Sequence, residues 1–588
     1  MKQNAKYRRS CLLLLLVIAA ALGLTFYRSL SYEYELSGAV TDLSAFYTEA
    51  YGYDVANTQE GASGSFTVTG DDPQFILSCP QGTFGSIGGI AIFLDSAWEG
   101  DATLPVQVFY AKEGESYAEK HSVKGELKAG EDAVLLPIPK GEYQSLRFDI
   151  DGDFQLEKIQ GCSEQMKATA YVSQETIHTC MWYFPAIIIG CCLIFWAHGV
   201  RLKEGNFTAK AYVKNVFLGA EPSRDRAVYL DYLRVLAAVL VILAHACSPM
   251  VELADTSWKR MVLVCGLSLG LCCNLLYVML SGTLLLSSKK EESVLSFYIR
   301  RASKVIIPLI AYYLLLLYLN DEVSFLPPRN IGAAFKRIVT GAPDVGPHLW
   351  LIYTIVALYL VTPFFKVMVQ HMSDRLAASL AAVILVLNLL TTYLPLFGMT
   401  FGAATFLAGW EGVFLLGYIM TRQNERSGAS WRNKIIMLAG VVSYAITVAV
   451  VYIDSSQMNY VYNSAPTLVA ASCGIFALFL QHKNYFKGKS NALVRLCSKY
   501  SYSVILIHWY ALFVVVQGKL HITALRFGCI GGIIASVVVT FAACLAMAVV
   551  FDNTVVIVCN VLFEKVMGRL VCTRDEGYGK KHKCDERC

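Results

Sequence analysis

Charged side chains are scarce in this chain. Asp, Glu, Lys and Arg supply 16% of its 588 residues, where a soluble globular protein carries about a quarter. That shortage, with 55% hydrophobic residues and a mean hydropathy of +0.48, excludes an ordinary water-soluble chain and indicates a polytopic membrane protein. No basic domain is present: lysines and arginines are scattered between hydrophobic runs, so the net charge of +5 does not describe a nucleic-acid surface. No internal repeat is found. Cysteine is plentiful at 18, but most lie in hydrophobic runs, where Cys191, Cys192, Cys272 and Cys273 read as small apolar fillers. Cys79 and Cys162 fall in a predicted extracytoplasmic region and are left open as a pair or as two free thiols. His582, Cys584 and Cys588 stand on a ragged C-terminal end that reads as a solvated tail, so no metal site is expected.

The first 27 residues are a basic stub and an apolar run without a convincing cleavage site, read as a cytoplasmic N-terminus and signal anchor. Residues 28–179 alternate polar and apolar in short stretches such as SFTVTG, IAIFL and VQVFYA, divided by Gly, Asp and Pro. That pattern predicts an extracytoplasmic all-β sandwich of jelly-roll type. It resembles carbohydrate-binding modules in general pattern only; a plain spacer is an equal alternative, and its acidic loops are weak candidates for calcium. A second span over 180–200 returns the chain to the cytoplasm. A basic linker follows over 201–227, then ten spans over 228–555 and a cytoplasmic tail over 556–588, making about 12 spans in all. The five loops assigned inside hold 22 Lys and Arg, and the five assigned outside hold 7. By the positive-inside rule both termini are then cytoplasmic.

One span departs from the apolar norm. YLDYLRVLAAVLVILAHACSPM, residues 229–250, carries Asp231, Arg234 and His245. Ionisable groups in hydrocarbon are costly and usually face a protein interior or a water-filled path. Arg234 and His245 are eleven residues apart, which returns them to nearly one helical stripe about 16 Å apart along the axis. A cation near the cytoplasmic face and an imidazole deeper in has the layout of a reaction channel.

The same stretch resembles the first-helix signature of the membrane acyltransferase-3 family, Arg, ten residues, then His. Three further motifs resemble the family in order: FYIRRASKVIIPLI, GPHLWLIYTIVALYLVTP and YSYSVILIHWY. A fourth segment, VMLSGTLLL with Ser281 and Gly282, matches loosely and reads first as a packing site. The late motif departs at Ile505, where relatives carry an aromatic. The resemblance extends to surface-polysaccharide O-acetyltransferases such as that of enterobacterial common antigen. It implies a multi-pass enzyme of the bacterial cytoplasmic membrane that moves an acyl group, expected to be acetyl, from cytoplasmic acyl-CoA to a hydroxyl of a cell-surface or lipid-linked glycan. Acyl-CoA enters as a substrate, and no permanently bound cofactor is expected. On this reading His245 is base or nucleophile, Asp231 orients Arg234 one turn on, and Arg234 either holds the donor's pyrophosphate or polarises its thioester carbonyl. Arg300, Arg301, Lys304 and His508 join it on the donor side, with Arg301 the chosen contact among them. His348, Trp350 and Glu411 face the acceptor. Some relatives carry a fused esterase-like domain; no GDS or paired DxxH signature occurs here. Two rival classes stand beside the enzyme: a transporter or carrier of lipid-linked saccharides, and a membrane-anchored glycan-binding module.

Overall fold

The computed structural model describes residues 2–577 apart from 57–62, 71, 101–102, 119–120, 206–207, 220–226, 289–291, 320–328, 342–345, 400–405, 428–429 and 490. The tail residues His582, Cys584 and Cys588 lie outside the described residues. The chain divides into two compact units, Met1–Cys191 and Cys192–Cys588.

The first unit opens with α1 (Lys2–Ser29) and closes with the start of α2 (Gln174–Glu204). Between them two antiparallel sheets face each other. One has five strands in the order Ser122–Leu127, Leu104–Ala111, Ser145–Ile150, Gln74–Ser78 and Tyr47–Tyr51. The other runs Ala133–Leu136, Gly89–Leu94, Phe154–Cys162, Gly64–Val68 and Tyr53–Ala56, with Val40–Asp42 also paired to Phe154–Cys162. Alternation along each strand sends one set of side chains inward. Phe66, Phe75, Phe148 and Phe154 thus meet in the core, with the Phe75 and Phe148 rings stacked at 4.8 Å. The expected β sandwich is present. At its base Ser31–Glu35 pairs antiparallel with Lys167–Tyr171, and the Thr176 hydroxyl donates to Ser29 O at 2.6 Å, fastening the ends of α1 and α2 together. Cys79 and Cys162 are both free thiols.

The second unit is helical. After α2 come α3 (Ala209–Leu218), α4 (Val228–Cys247), α5 (Ser257–Gly270), α6 (Cys272–Leu286), α7 (Val294–Arg301), α8 (Ile307–Leu319) and α9 (Arg329–Thr340). Then follow α10 (Trp350–Gln370), α11 (Asp374–Tyr393), α12 (Trp410–Ser427), α13 (Ser430–Ile453), α14 (Pro466–Gln481) and α15 (Lys483–Phe486). The last three are α16 (Ala492–Tyr510), α17 (Cys529–Phe551) and α18 (Ile557–Gly577). Ten helical stretches among the described residues are long and apolar enough to cross a membrane by length and composition. Sequence reading expected about 12. The two that fall short are α14, which is brief, and α12, whose last turns are polar. Arg422 of α12 is buried, and it donates to Val369 O at 2.8 Å and to the Asp374 carboxylate at 3.0 Å, where α10 ends and α11 begins. A hydropathy window discounts such a residue although its donors are satisfied in place. The last helix does not stop at 555: it passes through a π-helical stretch, Asp552–Val556, into α18.

α4 is the centre of the bundle and packs on α5, α6, α16 and α17. Ala237, Ala238 and Ala246 on it are fully buried, small enough to let neighbouring backbones close in. Gly282 serves the same end where α6 meets α12, since a methyl group there would collide with the Phe414 carbonyl. Ser281 beside it reaches Tyr359 Oη at 3.5 Å. Gly282→Ala must push α6 off α12, and we expect it to cost about 1–3 kcal/mol as an overpacked core does. A lower thermal unfolding midpoint of the detergent-solubilised protein checks this; an unchanged midpoint counts against the close approach.

Candidate functional site

α4 and α16 run side by side in the same direction. Arg234 Nη1 donates to Ser498 Oγ at 3.0 Å near their first turns, and the His245 and His508 rings stand 5.1 Å apart near their last. The partners differ by 264 and 263 positions, so the two helices keep register over three turns.

At the first end Asp231 is buried and shared. Its Oδ1 accepts from Arg234 Nη1 at 3.3 Å and from Ser498 Oγ at 2.8 Å. Arg234 therefore has its guanidinium orientation fixed from two helices while staying partly exposed. It faces a cavity of about 460 Å3 whose lining includes Lys304, Arg495, Lys499 and Tyr502. Lys499 Nζ also donates to Val216 O at 2.6 Å, and Tyr500 Oη to the same carbonyl at 2.9 Å, which ties the end of α3 to the cavity wall. Four cations around one cavity suit a ligand with several anionic oxygens.

The three expected basic residues of the 300–304 segment do not act as one set. A π-helical turn, Ala302–Ile306, follows α7. Its i→i+5 repeat rotates Lys304 away from the face of Arg301. Lys304 alone lines the cavity. Arg300 is paired with Glu292, and Arg301 lies over the rings of Phe297 and Tyr359 at 5.4 and 6.0 Å. Neither therefore joins Arg234, Arg301 included.

At the other end three histidines from three elements converge. The His348 ring lies 4.7 Å from that of His508, edge on, and Trp509 stands 5.0 Å from His245 and stacks on His348 at 5.8 Å. His348 and His508 are buried, and His245 is half-buried. His508 was expected about two turns into its span, on the donor side; it is instead the seventeenth residue of α16, beside His245. The reason is the Asn491 cap, whose side chain accepts from Val494 N and starts the helix well before 501. His348 joins this cluster through His508 and Trp509, but Trp350 does not. It is 40% exposed and packs against Trp410 at 5.4 Å, next to Glu411 in the first turn of α12. The acceptor-side trio is thus split between two places.

His348 Nδ1 and His508 Nε2 are buried with no hydrogen-bond partner, and each such atom costs about 1–3 kcal/mol. Among the described residues no group of three or more His, Cys, Asp or Glu has metal-holding geometry.

Sequence reading missed Asp552. Tyr312 Oη donates to its Oδ1 at 2.8 Å and Ser503 Oγ to its Oδ2 at 2.6 Å, so this half-buried carboxylate, which opens the π-helical stretch after α17, is satisfied from α8 and α16. A lone acid after a long apolar run was the available signal. Ser498, Arg495 and Trp509 were missed too, because only packing brings them to α4.

Residues 227–550, just over half the chain, match a family model described as an acyltransferase domain. No curated protein matches and no solved structure matches.

Proposed function

Because the chain belongs to the acyltransferase-3 family and is a membrane acyltransferase over residues 227–550, we propose that it is an O-acetyltransferase drawing acetyl from cytoplasmic acetyl-CoA and delivering it to a hydroxyl of a cell-envelope or lipid-linked glycan. The observation that carries this reading is the polarity of the α4–α16 pair, with a cationic cavity at one end and clustered imidazoles at the other. Coenzyme A has the same two-ended layout. Its phosphates and its thioester are separated by a long flexible arm, suited to the roughly 16 Å from Arg234 to His245.

In this mechanism Arg234 and Lys304, joined by Arg495, hold the phosphates, and Asp231 keeps the Arg234 guanidinium aimed. His245 takes the proton of the acceptor hydroxyl as its oxygen attacks the thioester carbonyl. The C–O bond forms, the C–S bond breaks, and the proton passes to the departing thiolate. The protein would then sit in a bacterial cytoplasmic membrane with its cationic end and both termini inside and the β sandwich outside.

Mass spectrometry of envelope glycans from cells with and without the protein tests the whole reading. One acetyl group per repeating unit should disappear with the protein. Glycans of identical mass in both strains would contradict it.

A further inference from the structure

Two backbone carbonyls, one residue apart on α16, fix the tautomers of two histidines. A carbonyl oxygen only accepts, so His508 Nδ1 must donate to Ile505 O at 2.7 Å and His348 Nε2 to Leu506 O at 3.1 Å. In the neutral rings the other nitrogens, Nε2 of His508 and Nδ1 of His348, then carry lone pairs, and these are the two buried atoms without a donor. They belong to rings 4.7 Å apart, beside His245 and against the Trp509 indole.

A ligand that satisfies this arrangement has to bring hydrogen-bond donors. A carboxylate or phosphate would set its own lone pairs against them. Hydroxyls fit, and an indole face beside them suits the C–H face of a sugar ring. We propose that His348 and His508 accept hydrogen bonds from hydroxyls neighbouring the one that reacts, so that the site selects a polyol with adjacent hydroxyls over a simple alcohol. This rests on the acyl-transfer reading for what is delivered to the reacting hydroxyl, but binding of the polyol does not depend on it. Trp509 is followed closely by a π-helical stretch, Ala511–Lys519, a feature frequent at functional sites.

The test uses the full-length protein in lipid nanodiscs with acetyl-CoA as donor. The acceptor probes are methyl β-glucoside, cis-1,2-cyclohexanediol and cyclohexanol. Wild type should acylate the glucoside and the diol about tenfold or more faster than cyclohexanol, the worth of one such hydrogen bond. In His348→Phe and His508→Phe, which keep a ring and remove the lone pair, that ratio should fall towards one; being read within each variant, it is unaffected by how much protein folds. A wild-type ratio near one, a ratio unchanged in both variants, or loss of activity on chelation with EDTA would each overturn the proposal. Thermal stability with and without methyl β-glucoside is the second readout. If wild type transfers acetyl to none of the probes, the acyl-transfer reading fails separately. Stabilisation of wild type but not of the variants would then uphold the polyol site, and no stabilisation of wild type would sink it.

Discussion

Under the proposed acetyl transfer, alanine at His245 should lower the rate by a factor of about 100 to 10,000, the usual worth of a positioned general base, while the protein keeps its affinity for the donor. The separation follows from geometry. His245 stands three turns along α4 from Arg234, among His348, His508 and Trp509 and away from the cationic cavity. Thiol release from acetyl-CoA in the presence of acceptor gives the rate, and displacement of a bound CoA analogue gives the affinity. A His245→Ala protein that retains a tenth of the wild-type rate would remove the residue from the chemistry. Loss of rate and donor affinity together would mean that His245 holds the bundle rather than the proton.

Glutamine at Arg234 does more than weaken donor binding. Asp231 has 5% of its side chain exposed and would lose the guanidinium that accompanies its charge in a buried setting. Removing one member of a buried pair costs about 3–5 kcal/mol; since Arg234 is itself 27% exposed, the lower end of that range is expected. The double variant Asp231→Asn, Arg234→Gln should regain most of the lost stability, because the buried carboxylate charge is removed together with the guanidinium, yet stay poor in donor affinity. Unfolding midpoints and acetyl-CoA KM for the two single variants and the double one close the cycle. Stability losses that simply add would show that Asp231 and Arg234 are not coupled.

What could be read from the sequence was whatever depends on position along one helix. Asp231, Arg234 and His245 stand out on a single apolar span, and the 3.6-residue repeat puts the last two on one stripe. The strand alternation of the β sandwich is equally local. The sequence could not say which helices touch. Ser498 is an ordinary serine until α16 lies against α4, and Lys304 parts from Arg301 only because the helix widens at Ala302. His508 was misplaced for a different reason: its span was started at the first strongly apolar residues, whereas the Asn491 side chain begins the helix earlier. Asp552 was within reach, since the rule that picked Asp231 applies to it unchanged.

The strap at the base of the sandwich has a consequence for the order in which this protein is made. Ser31 pairs with Tyr171, so the sandwich cannot close until the ribosome has passed the last of its strands, and pairings so distant in sequence are slow to form. Yet that point is reached before residue 227, where the family domain begins. Domains synthesised first generally fold first. The sandwich therefore has all of its strands while the helices of the family domain are still untranslated, and a ribosome stalled in the second unit would leave it free to finish alone.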